Sequence, residues 1–156
     1  MKRVLAVADT HGRLRDLDYL ALTAGKIDLL LHLGDYAADA RLMGEALGVP
    51  YLAVRGNNDF TEEYPVKRIV EVEKAKLLLI HREEQYRRAN LLTEARLNGC
   101  GAILFGHTHV PYLAAEGNVQ LLNPGSYSLP RACSERGYAI LTIDGRDIRI
   151  EMRTLD

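Results

Sequence analysis

Five short, mostly apolar runs constrain this chain more than any other feature: VLAVA at 4–8, LLLHL at 29–33, YLAVR at 51–55, LLLI at 77–80 and AILF at 102–105. Each has strand length and little polar alternation, which predicts strands covered on both faces. Helical spacing fills several of the gaps: Leu14, Leu17, Ala21 and Ala24; Leu42, Met43, Ala46 and Leu47; then Tyr86, Ala89, Leu92 and Ala95, with Gly99 as a stop. Strands alternating with helices predict βαβ units. Beyond residue 110 the periodicity changes to hairpins, with turns at Glu116-Gly117-Asn118 and Asp144-Gly145 and a half-buried antiparallel strand in DIRIEMRT. The economical architecture is α/β, with two packed sheets, a βα half and a more antiparallel half, and helices outside. A chain of 156 residues, 47% hydrophobic, suits a single domain spanning 1–156.

Charge and cysteine content narrow the function classes. Lys plus Arg number 20 against 21 Asp plus Glu, a net charge of -1, and no basic cluster tracks a phosphate backbone. Long nucleic acid is not an expected partner. The apolar stretch of MKRVLAVADTHG ends at Asp9, too short for a signal peptide or a membrane span, so a cytoplasmic protein without membrane partners is expected. Cys100 and Cys133 have no CxxC spacing and read as thiols rather than metal ligands or a disulfide. A homo-oligomer is neither indicated nor excluded.

The strand-like runs share an unusual ending. VLAVA leads into Asp9-Thr10-His11-Gly12, LLLHL into Gly34-Asp35, YLAVR into Gly56-Asn57-Asn58-Asp59, LLLI into His81, and AILF into Gly106-His107-Thr108-His109. Carboxyl ends of parallel strands gather at one edge of an α/β sheet, where ligands bind, so five loops are expected to converge. Their carboxylate, amide and imidazole groups suit Mn, Fe, Co, Ni or Zn better than Ca or Mg. Such a set of ligand groups is too large for one tetrahedral ion and suits two ions about 4 Å apart sharing a carboxylate, an arrangement used for displacement at phosphorus.

DTH, GD, GNND, an isolated strand-end His and GHTH, in this order, resemble the calcineurin-like metallophosphoesterases. With NPGS at 123–126 and LPR at 129–131, the short chain is most similar to their small bacterial and archaeal phosphodiesterase branch, over residues 4 to about 150. The resemblance implies a four-layer αββα sandwich of two mixed sheets flanked by helices. It implies that Asp9, His11 and His109 bind one divalent ion, that Asn57, His81 and His107 bind the other, and that Asp35 bridges them, with Mn the first choice of metal. Asp35, Asn57 and His107 are read as catalytic as well as metal-binding. The implied reaction is hydrolysis of a small phosphodiester, with a monoester as alternative, by water bridging the ions.

Other residues carry two readings each. His32 is a satisfied core histidine or a hydrogen-bonding group near Asp35. Asp59 caps a turn or buttresses Asn57, while Asn123 or Ser126 orients a neighbour. Arg13, Asn58, Arg82 and Arg131 are candidate substrate contacts, although such arginines are more often solvated, and Tyr127 reads as packing before stacking. Two departures from the family pattern stand out. Asn58 takes a place where many relatives carry a histidine thought to protonate the leaving oxygen, so rates should depend steeply on leaving-group acidity. Arg82 follows His81 where glycine is usual, so that loop must turn without glycine. The rival functions are a protein-interaction scaffold, as in the retromer subunit that shares this fold, and a nuclease acting on short oligonucleotides.

Overall fold

The computed structural model describes residues 1–156. It contains ten strands: β1 (Lys2–Val7), β2 (Leu29–His32), β3 (Tyr51–Ala53), β4 (Lys67–Val72), β5 (Ala75–Ile80), β6 (Ala102–Leu104), β7 (Tyr112–Glu116), β8 (Val119–Asn123), β9 (Gly137–Asp144) and β10 (Asp147–Thr154). Three helices, α1 (Leu17–Ala24), α2 (Asp39–Leu47) and α3 (Arg88–Leu97), lie between them. The strands form two five-stranded sheets ordered β10-β9-β1-β2-β3 and β4-β5-β6-β8-β7. Both sheets are mixed: β1, β2 and β3 run parallel, as do β5, β6 and β8, while the outer hairpins pair antiparallel.

Alternation along each strand sorts the side chains into layers. Val4, Ala6, Leu31 and Leu33 of the first sheet face Leu77, Leu79, Leu104 and Leu122 of the second, and these fully buried residues form the central core. Leu5, Val7 and Leu30 point outward to Leu20 and Ala24 of α1 and Met43 of α2. On the far side Leu78, Ile80 and Ile103 pack on Leu91, Leu92 and Ala95 of α3. The result is an αββα sandwich. No helix is long and apolar enough to cross a membrane.

The division into a βα half and an antiparallel half is not how the chain distributes itself. Hairpin β7–β8 extends the second sheet, but β9–β10 returns to the first and pairs along β1 from Lys2↔Ile143 to Ala6↔Ala139. This puts β1 in the middle of its sheet, with its backbone hydrogen-bonded on both sides, which its fully apolar LAV segment requires. Strand β4 is an addition to the predicted elements. Its sequence, KRIVEV, buries only Val70 and Val72 against the core and occupies a sheet edge, so its apolar signal is weak.

Candidate metal centre

The carboxyl ends of β1, β2 and β3 from one sheet and of β5 and β6 from the other meet at one end of the sandwich. Main-chain bonds knit these ends together: Asp9 N donates to Gly34 O at 3.0 Å and Gly106 N to His81 O at 3.0 Å. Five of the seven candidate ligands, Asp9, His11, Asp35, His107 and His109, have left-handed backbones with φ between 50° and 74°. Asp and His are among the few side chains that tolerate this conformation, which lets a strand end reverse sharply and aim the side chain inward. Glycine is needed for a different reason at position 56, where a Cβ would overlap the Asp35 carboxylate.

The structure brings all seven side chains together in two overlapping groups. In the first, Asp9, His11, Asp35 and His109 present ligand atoms within 4.8 Å of one another. His109 Nε2 is 3.4 Å from Asp9 Oδ1 and 3.3 Å from His11 Nε2. In the second, Asn57 Oδ1 is 3.0 Å from both His81 Nε2 and His107 Nδ1. Asp35 lies between the groups, with Oδ2 3.4 Å from His11 Nε2 and Oδ1 3.2 Å from His81 Nε2.

These contacts leave one buried polar atom without a hydrogen-bond partner. Asp9 Oδ1 is buried and has no hydrogen-bond partner, although three imidazole nitrogens face it at 3.4–3.9 Å. His81 Nδ1–H donates to Leu33 O at 2.7 Å and His109 Nδ1–H to Leu129 O at 2.6 Å. In its neutral form each ring then turns the lone pair of Nε2 into the cluster, the orientation a ligating histidine takes from its outer hydrogen bond. The donor set is oxygen and imidazole without thiolate. It fits borderline divalent ions, and an orphaned carboxylate oxygen is what such an ion would satisfy.

Electrostatics carry the same imprint. Burial raises the pKa of Asp35, but hydrogen bonding and attraction from His81, with two hydrogen bonds from Asn58, hold the carboxyl well below the usual range. Burial pulls His81 and His109 down, yet Asp35 and Asp9 act on His81, and Asp9 on His109, strongly enough to leave both raised. His11 and His107 end lowered, burial outweighing the nearby carboxylates.

The remaining candidates have specific places. Asn58 donates from its backbone N and Nδ2 to the two oxygens of Asp35, at 3.0 and 2.8 Å. Asp59 accepts from Asp35 N, Ala37 N and Gly56 N, so it buttresses the Asp35 loop and not Asn57. Asn123 Nδ2 holds the GHTH loop through Gly106 O and Thr108 Oγ1, and Ser126 Oγ donates to Asp9 O. Tyr127 is buried, donates to Arg15 O at 2.5 Å, and burial pushes its hydroxyl up to about 12. Arg82 Nε pairs with Glu84 at 3.2 Å, while Arg13 and Arg131 are exposed and take part in no ion pair. After His81 the backbone at Arg82 is extended, with φ -109°, and the turn waits for a 3-10 segment at Glu83–Gln85; no left-handed residue is needed.

A polar chain beneath the DTH loop escapes sequence reasoning. Gly34 N donates to His32 Nδ1, so His32 Nε2–H donates to Thr10 Oγ1 at 2.9 Å. Thr10 Oγ1–H in turn donates to Asp39 Oδ2 at 2.6 Å, and Gly12 N reaches the same oxygen at 2.8 Å. His32 is thus a satisfied core histidine, bonded to Thr10 rather than to the Asp35 side chain. An acidic first residue in α2 is the only sequence signal of Asp39.

Comparison with known proteins agrees with this geometry. The calcineurin-like phosphoesterase superfamily domain matches residues 1–146. A probable metallophosphoesterase of Bacillus subtilis (strain 168), YsnB, is 32% identical over 145 residues, covering 90% of this chain and 84% of the relative. The crystal structure of a predicted phosphoesterase from Streptococcus pneumoniae TIGR4 matches with a TM-score of 0.77 at 28% identity, covering 98% of this chain and 89% of that one. Vps29 from Entamoeba histolytica, complexed with zinc, matches with a TM-score of 0.74 at 20% identity, covering 97% and 98%; that likeness is one of fold alone.

Proposed function

The chain belongs to the calcineurin-like phosphoesterase superfamily, and from that membership we propose that it is a phosphodiesterase working with two divalent ions. Asp9, His11 and His109 would hold one ion, Asn57, His81 and His107 the other, and Asp35 both. One observation carries this reading: the two oxygens of Asp35 face different donor groups, His11 at 3.4 Å and His81 at 3.2 Å. Mn²⁺ is the first choice, with Fe, Co, Ni and Zn suiting the same ligands. Bound there, the ions would supply Lewis acidity, lowering the pKa of water toward neutrality and taking up charge that develops on phosphoryl oxygens.

The protein's own groups prepare that chemistry. Asp35 stays ionised because Asn58 donates a hydrogen bond to each of its oxygens. His81 and His109 are oriented by carbonyls of Leu33 and Leu129. Asn58, engaged with Asp35, offers no acid to the leaving group, so the leaving oxygen takes its proton from solvent. The substrate is a small diester, with a monoester as the alternative, and exposed Arg13 and Arg131 are the side chains on the surrounding loops free to meet its charge. A cytoplasmic setting belongs to the same proposal and suits the free thiols of Cys100 and Cys133.

The test is hydrolysis of bis(p-nitrophenyl) phosphate with Mn²⁺ by the wild-type protein and by Asp35→Asn. The variant keeps shape and one of the two acceptors for Asn58 but loses the shared charge, and its turnover should fall to background. Near-normal turnover by a variant that still retains metal would overturn the bridging role.

A further inference from the structure

His81 and His109 present their site nitrogens because each donates its other ring proton to a main-chain carbonyl. His107 is oriented differently. Its Nδ1 faces Asn57 Oδ1 at 3.0 Å, and its Nε2 lies 3.0 Å from Glu84 Oε1. Both neighbours accept hydrogen bonds, so the neutral ring has two competing tautomers. A proton on Nδ1 would close the nitrogen that faces the candidate metal centre; a proton on Nε2 would leave it open.

The competition is unequal. A carboxylate is a stronger acceptor than an amide oxygen, and a hydrogen bond to it is roughly twice as strong as one between neutral groups. Glu84 is itself held in place. Arg82 Nε donates to the same oxygen, Oε1, at 3.2 Å, and the short 3-10 segment is closed by Tyr86 N donating to Glu83 O at 3.0 Å. The extended residue at 82, where a glycine turn would be usual, carries the chain directly into this segment.

We propose that Glu84 is a positioning residue for the second ion site: its carboxylate takes the Nε2 proton of His107, leaving Nδ1 free beside Asn57, while Arg82 anchors the carboxylate. The proposal rests on the metal-centre reading and assigns a role to Arg82, the residue that sets the loop after His81 apart, and to its partner Glu84. Loss of a carboxylate behind a ligating histidine typically weakens metal binding by about 10- to 100-fold.

The experiment compares wild-type protein with Glu84→Ala and Glu84→Gln in two measurements. Ring ¹⁵N chemical shifts report the His107 tautomer in metal-free protein, and Mn²⁺ titration calorimetry reports the two ion affinities. Expected is an Nε2–H tautomer in wild type and a move toward Nδ1–H in Glu84→Ala, with the second ion bound about 10- to 100-fold more weakly and the first unchanged. Glu84→Gln, which keeps an acceptor oxygen, should fall between them. An unchanged tautomer in Glu84→Ala, or a changed tautomer with wild-type affinity for both ions, overturns the proposal alone. Wild-type protein that takes up no ion at all overturns the metal-centre reading, and the proposal with it.

Discussion

At the scale of single residues, the centre is a set of strained backbones and buried polar groups held by close partners. Left-handed non-glycine residues cost of order 1–3 kcal/mol each, and they persist where surrounding structure over-determines them. Asp9, His11, Asp35, His107 and His109 meet that condition, each placed where its chain turns off a strand. His32 supplies a prediction of its own. Complete burial lowers its pKa from 6.5 to about 4, against the charges of Asp39, Asp59 and Asp9. The folded protein then releases a proton that the unfolded chain keeps, so stability is full above about pH 6.5 and declines as pH falls toward 4. The loss should reach about 3 kcal/mol. Urea unfolding of metal-free protein between these pH values, with His32→Gln beside it, measures this. The wild type should lose that much more than the variant, whereas parallel decline would show that His32 does not titrate as described.

At the scale of elements, strand ends carry the candidate ligands, and the N-terminus of α2 steadies the first of them. Asp39 accepts from Gly12 N and Thr10 Oγ1, fixing the loop that carries Asp9 and His11. Asp39→Ala takes the acceptor from the buried Thr10 hydroxyl and the part-buried Gly12 N and should cost about 1–3 kcal/mol by urea denaturation. It should also weaken ion retention, while Asp39→Asn, which keeps one acceptor, loses less. Unchanged stability and metal content in the alanine variant would remove α2 from the account. Element by element, legibility followed locality. Helical spacing and apolar runs announced α1, α2, α3 and the strands that lead into the candidate ligands, because burial on both faces marks each run by itself. DTH, GD, GNND and GHTH were equally plain, since a strand and its terminal ligand are neighbours in sequence. Strand β4 was hidden by its charged edge residues. The Thr10–His32–Asp39 chain and the Glu84–His107 contact depend on which loops face each other, and no local pattern encodes that.

At the scale of the whole molecule, the centre belongs to neither sheet alone. Asp9, Asp35 and Asn57 end strands of one sheet, and His81 and His107 follow strands of the other, so the packing of the two sheets sets the spacing of the donors. That arrangement was legible as a convergence of five loops. The return of β9–β10 to the first sheet was not, because pairing between residues 2 and 143 leaves no trace within either segment. A site shared between sheets also links ion binding to folding, since ions that bind only the native state stabilise it, by about 2.7 kcal/mol at a concentration 100 times Kd. The central claim is that two ions, joined through Asp35, make the protein a phosphodiesterase. Its most direct test is to titrate metal-stripped protein with Mn²⁺ while following bound ions per chain and hydrolysis of bis(p-nitrophenyl) phosphate together. The account predicts that turnover appears with metal and reaches its plateau as the second ion fills; full turnover at one ion per chain, or in the stripped protein, would contradict it.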